Sequence, residues 1–216
     1  MSDFIPKAVI FDMDGVLLDS ESICDQTWKI AGETFGIPHT EDSIQKCRGC
    51  NKTDTELILK EIYGQDFKVS DFLNETSRLF HQIEEKNGIP LMFYAKEILE
   101  YLSKKYPLGL ASSTRKITAS RQMKTAGLYD FFKTFTFGDM VSHSKPSPDI
   151  YVMACKSLDV SAENCVAVED SPNGVKSAFA AGMKVIMVPD KIQPDDNVKK
   201  MAWKICKNLK EIENIL

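Results

Sequence analysis

Asp12 and Asp14 stand one residue apart where an apolar run ends, in Val9-Ile10-Phe11-Asp12-Met13-Asp14-Gly15. They take alternate positions at the end of what reads as a buried strand. Two carboxylates held that close repel unless a cation or a shared proton neutralises them. The pair therefore points to a Mg²⁺-assisted phosphoryl site. One carboxylate attacks phosphorus to give an aspartyl phosphate, and the other protonates the leaving oxygen and later activates water. A capped turn or a cation site without chemistry could use the same two residues. A calcium loop fits less well, because the further acidic ligands and closing Glu are missing.

Three other stretches carry reactive types. Ser112 and Ser113 follow an apolar run, where a hydroxyl and backbone N–H groups can hold phosphoryl oxygens, or where serine can simply cap a helix. Lys145 lies in Ser144-Lys145-Pro146-Ser147-Pro148-Asp149, a turn stiffened by two prolines that would fix one ammonium in place. Glu169 and Asp170 end a further apolar run and offer the hard oxygens that Mg²⁺ prefers, although acids near a helix start need no metal. Trp28 lies on an apolar helical face and reads first as core, second as a platform for substrate. His39, His81 and His143 are scattered and take no role.

The elements that must position these groups follow from periodicity. Strands are expected at Ala8 to Phe11, Leu108 to Ala111, Thr134 to Phe137, Cys165 to Val168 and Val185 to Val188, with an edge strand near Ala202 to Cys206. From Ser20 to Gly88 only helices are expected. The first buries Cys24, Trp28, Ala31 and Phe35, the second Leu57, Ile58 and Ile62, and the third Phe72, Leu73, Leu79, Phe80 and Ile83. After Pro90, helix and strand alternate. Pro148 is expected at the first position of one helix, and Leu209 to Leu216 form the last. This rhythm implies an α/β fold, a doubly wound parallel sheet with a small all-helical domain inserted after the first strand. The core domain is expected over residues 1–16 and 90–216 and the helical domain over 17–89. Ligands of such sheets bind beyond the carboxyl ends of the strands, where the acids and serines lie.

Composition narrows the classes. The chain has 216 residues, 43% hydrophobic and 27% charged, as in an ordinary soluble protein. A net charge of −4 gives no support for nucleic acid or an anionic membrane as partner. No apolar run approaches a membrane span, and the N-terminus lacks the features of a signal peptide, so the cytoplasm is the expected compartment. Six scattered cysteines read as free thiols, and Cys47-Arg48-Gly49-Cys50 lacks a second pair for zinc. The partner expected is a small phosphorylated metabolite, and the chain is expected to be a monomer.

The order strand–DxDG, strand–Ser, Lys-Pro, strand–Glu-Asp resembles the haloacid dehalogenase superfamily of phosphohydrolases over nearly the whole chain. The helical insert is similar in position and length to the four-helix cap of its β-phosphoglucomutase-like branch. The resemblance implies a Rossmann-like core with Asp12 as nucleophile, Asp14 as general acid/base, Ser112 and Lys145 in the second and third segments, and Mg²⁺ as cofactor. It also implies Mg²⁺ ligation by Asp12, the Asp14 carbonyl, Glu169 and Asp170, and substrate contacts from the loop holding Gly49 and Lys52, from Ser113 and from Trp28. Cys24 replaces the mutase's histidine and Phe93-Tyr94 its linker Pro-Gly, which weakens a mutase reading. Asp19-Ser20-Glu21, Pro172-Asn173-Gly174-Val175 and Met187-Val188-Pro189-Asp190 look more like the sugar- and nucleotide-phosphate phosphatases. A Mg²⁺-dependent phosphatase is therefore expected first and a hexose-phosphate mutase second. A phospho-receiver module comes a distant third, since its acidic residue does not follow the first strand.

Overall fold

The computed structural model describes residues 4–48, 50 and 52–216, in two compact units. One holds the chain up to Asp19 together with Pro90–Leu216, and the other is Ser20–Ile89. Residues 17–19 thus go with the first unit rather than with the helices. Leu17 and Leu18 donate to the Met13 carbonyl, the Met92 N–H donates to the Leu17 carbonyl, and both leucine side chains are fully buried.

The first unit is built on six parallel strands: β1 (Ala8–Phe11), β2 (Leu108–Ser112), β3 (Thr134–Phe137), β4 (Cys165–Glu169), β5 (Lys184–Met187) and the short β6 (Lys204–Ile205). Their order is β3-β2-β1-β4-β5-β6. Every residue of β1, β2 and β4 is buried, which is why these strands read as unbroken apolar runs rather than alternating ones. The chain leaves β1 toward β2 and later returns to its other side as β4, so the order reverses beside β1. Phe11 pairs with Leu110 on one side and Val168 on the other, bringing three strand ends level. That is where such a sheet opens a crevice.

Among its described residues the second unit holds four helices: α1 (Ser20–Phe35), α2 (Thr40–Cys47), α3 (Lys52–Tyr63) and α4 (Val69–Asn87). Its core gathers Trp28, Ala31, Ile44, Leu59 and Phe72. The short helix α2 is not anticipated by periodicity, since eight residues give barely two turns of pattern. On α3 the inward face is rotated from expectation. Leu57 and Ile62 are 62% and 37% exposed, and Leu59 is the fully buried residue.

Helices α5 (Ala95–Leu102), α6 (Lys116–Thr125), α7 (Asp149–Ser157), α8 (Pro172–Ala180) and α9 (Asp196–Met201) flank the sheet. Pro148 is the N-cap of α7 rather than its first helical residue, and Leu209–Asn214 is a 3₁₀ helix. The core between β1, β4 and β5 and helices α7 and α8 includes Ile10, Ala167, Met187, Tyr151 and Val175. All six cysteines are free thiols. Among the described residues no helix is long and apolar enough to cross a membrane.

Phe72 is fully buried and its ring meets Trp28 edge-on at 5.1 Å, with Phe35 and Phe67 each at 5.6 Å. Truncating a ring so enclosed removes both buried area and packing. Phe72→Ala is expected to destabilise the helical unit by about 3–5 kcal/mol, read from urea unfolding by circular dichroism. An unchanged unfolding midpoint would contradict this packing.

Candidate active site

The Asp12 N–H donates to the Val168 carbonyl at 3.0 Å, continuing the β1–β4 ladder one residue past the strand. That bond fixes where the Asp12 side chain starts. Gly15 then turns the chain at φ +74°, and a Cβ there would lie 2.4 Å from an Asp170 oxygen. Only glycine allows both the left-handed turn and the close approach of Asp170.

Lys145 is the hub. Its ammonium donates to Asp12 Oδ1 at 2.7 Å, to Glu169 Oε1 at 2.7 Å and to the Ala111 carbonyl at 3.2 Å. Its side chain is 8% exposed, Asp12's 11% and Glu169's 0%. Charges so deep are tolerated only when paired and hydrogen-bonded. Burial alone would lower the Lys145 pKa, but the ion pairs with Asp12 and Glu169 outweigh it and hold the lysine above its ordinary range.

Glu169 anchors this arrangement. Oε1 accepts from Lys145 and from the Tyr151 hydroxyl at 2.7 Å, and Oε2 accepts from the Asp170 N–H, the Ser171 N–H and the Ser171 hydroxyl. Five donors meet a carboxylate with about four lone-pair sites, so its oxygens are heavily engaged by the protein itself. Helix α8 begins against this group, and a Cβ on Gly174 would fall 1.9 Å from the Glu169 carboxyl carbon. Glycine is needed there because the helix start and the carboxylate share one space.

Asp12, Glu169 and Asp170 each place an oxygen within 4.8 Å of the others. With one lysine among three acids, burial pushes Asp12 up to about 7 against the pull of Lys145, with Glu169 and Asp14 adding to the rise. Burial, then the charges of Glu169 and Asp12, raises Asp170 well above the usual carboxylate range. The pocket thus has more carboxylate than cation. A small divalent cation fits such a donor set, with Asp12 and Asp170 supplying the side-chain oxygens.

Asp14 has different surroundings. It is half-buried, and its Oδ2 accepts from the Thr114 hydroxyl at 3.0 Å. The Thr114 N–H in turn donates to Ser112 Oγ at 3.0 Å, so the serine shapes the turn beyond β2 instead of capping α6, whose N-cap is Arg115. Ser112 is fully buried and Ser113 exposed at the same strand end.

The sheet unit therefore brings Asp12, Asp14, Lys145, Glu169 and Asp170 together, with Ser112 linked to them through Thr114. The remaining candidates lie in the helical unit. Trp28 is a core ring there, 9% exposed, Lys52 opens α3, and Gly49 is outside the described residues. Arg48, on the same loop, is ion-paired with Glu21 and Asp25 of α1. Tyr151 and Thr114 are not among the residues that spacing pointed to. The available signals are a phenol on the apolar face of α7 and a third hydroxyl in Ser112-Ser113-Thr114.

Residues 9–188 match the family model described as haloacid dehalogenase-like hydrolase. The chain is 34% identical over 186 residues to a phosphorylated carbohydrates phosphatase of Thermotoga maritima, with 83% of each chain covered. It is 29% identical over 194 residues to a beta-phosphoglucomutase of Bacillus subtilis, covering 84% of this chain and 83% of that one. The crystal structure of a HAD family hydrolase from Deinococcus radiodurans, with bound phosphate and sodium, superimposes with a TM-score of 0.82 at 25% identity, covering 97% and 94% of the two chains. By the family model's span and the site it encloses, the chain belongs to the haloacid dehalogenase-like hydrolases.

Proposed function

We propose that this chain is a Mg²⁺-dependent phosphatase acting on a small phosphorylated metabolite, a sugar phosphate in the first instance, through an aspartyl phosphate on Asp12. The observation that carries this is the unequal setting of two neighbouring aspartates. Asp12 is buried against the Lys145 ammonium at 2.7 Å, while half-buried Asp14 is held by the Thr114 hydroxyl at 3.0 Å. Carboxylates placed in different surroundings take different roles. The relative named for phosphorylated carbohydrates supports the substrate class. Six free thiols suit a reducing compartment, which favours the cytoplasm.

In the proposed reaction an Asp12 oxygen attacks phosphorus as the bond to the leaving oxygen breaks, and Asp14 gives that oxygen its proton. Asp14 then takes a proton from water as the water displaces phosphate from Asp12. Lys145, fixed by Glu169, puts positive charge where the phosphoryl oxygens gather negative charge. Mg²⁺, held by the Asp12 and Asp170 carboxylates and the Asp14 carbonyl, would offset the acids and draw the phosphate in. Water and a sugar hydroxyl compete as acceptors. Incubation with β-glucose 1-phosphate separates them, since a phosphatase releases inorganic phosphate and a mutase yields glucose 6-phosphate.

Asp12→Asn is nearly isosteric, so the variant is expected to stay folded and to lose phosphate release by about a thousandfold or more. Retained turnover in that variant would overturn the assignment of Asp12.

The raised carboxyl pKa has a second consequence. In the folded protein without metal, burial raises the Asp12 pKa to about 7, against an ordinary 3.8. Its contribution to stability is therefore full below pH 3.8 and is lost as the pH rises toward 7. A cation needs the ionised form. The rise in Tm on adding Mg²⁺ in place of EDTA should grow as the pH is raised from about 5.5 to about 8. A metal-induced shift independent of pH would contradict ligation by these acids.

A further inference from the structure

Tyr151 is fully buried on the first turn of α7, six residues after Lys145, and the reaction proposed above gives it no task. Its hydroxyl donates to Glu169 Oε1 at 2.7 Å, the same oxygen that Lys145 uses at 2.7 Å, and lies 3.5 Å from the ammonium itself. The lysine also stands 5.0 Å from the centre of the phenol ring. Tyr151 belongs to an otherwise apolar core cluster with Ile150, Ala154 and Ala167, where an apolar ring would serve packing equally well, so packing does not explain the hydroxyl.

We infer that Tyr151 is a positioning residue: by sharing Glu169 Oε1, its hydroxyl keeps the Lys145 ammonium divided between Glu169 and Asp12. Lys145 is suspended between two carboxylates at equal distance, and its position depends on how strongly each one draws it. The phenol proton satisfies part of Oε1. Without it, that oxygen has the ammonium as its one close donor, and the lysine shifts toward Glu169 and away from Asp12. Oε2 cannot take up the difference, because the Asp170 and Ser171 N–H groups and the Ser171 hydroxyl pin it from the other side. Gly174, with no side chain, leaves the space in which the Glu169 carboxyl takes up these bonds. The hydroxyl thus acts on the nucleophile at one remove, through Glu169 and Lys145.

This rests on Asp12 and Lys145 acting in phosphate release, and the experiment separates the two claims. Phosphate release from p-nitrophenyl phosphate in saturating Mg²⁺ is measured for the wild type, Asp12→Asn, Tyr151→Phe and Tyr151→Phe/Lys145→Arg beside Lys145→Arg alone. Tyr151→Phe should lower kcat about tenfold, with KM and the Mg²⁺ concentration for half-maximal rate within about twofold. In the Lys145→Arg background, where the ammonium is already replaced, losing the hydroxyl should change kcat by less than about twofold. A role confined to packing would instead lower Tm and the active fraction alike in both backgrounds. Unchanged kcat in Tyr151→Phe, or an equal tenfold loss in both backgrounds, would overturn the inference while leaving the reading of Asp12 intact. An Asp12→Asn variant as active as the wild type would overturn both.

Discussion

One buried ammonium holds the site together. Lys145 lies between Asp12 and Glu169, both largely withdrawn from water, and without it three acids would crowd a single pocket. Removing one partner of a buried ion pair costs about 3–5 kcal/mol, because the charge left behind has no compensation. Several features of the sheet unit answer to this constraint. The Asp12 N–H is tied to the Val168 carbonyl, Gly15 makes room for Asp170, and Gly174 makes room for Glu169. Ser171 meanwhile uses its N–H and hydroxyl on Glu169 and accepts the Gly174 N–H as the cap of α8. Helix start and charged anchor are one structure.

The strand order makes this convergence possible. Side chains more than a hundred residues apart meet because β2, β1 and β4 lie side by side with their ends level. Each strand delivers a different chemical type: two aspartates, a hydroxyl turn, and a Glu-Asp pair. Lys145 comes from the turn before α7, and a long flexible stem lets it reach across all three. The excess of carboxylate over cation that remains helps burial raise the Asp12 and Asp170 carboxyl pKa values, and it is the physical opening for a divalent metal.

Much of this was readable from residue order. Ala8 to Phe11 and Cys165 to Val168 are unbroken apolar runs ending in acid, and both are inner strands with those acids at one edge. The Lys145 turn is set apart by its prolines. What could not be read is which acid does what. Glu169 and Asp170 are adjacent and chemically alike, yet one is saturated by five donors and the other is not, a difference made by Tyr151 on α7 and Ser171 on α8. Helix faces were less legible in the second unit. Leu57 and Ile62 fit an apolar stripe but face outward, because Leu59 and the aromatic cluster around Phe72 set the rotation of α3. The short α2 and α9 carry too few turns to show a period.

The central claim is that the phosphoryl group passes through Asp12. It is tested most directly by quenching the enzyme during turnover with Mg²⁺ and a sugar phosphate, reducing with borohydride, and mapping the product by peptide mass spectrometry. Borohydride reduces an acyl phosphate to an alcohol, so the account predicts homoserine at position 12 that forms only when substrate is present. Homoserine at position 14 or 170 instead, with Asp12 unmodified, would contradict it.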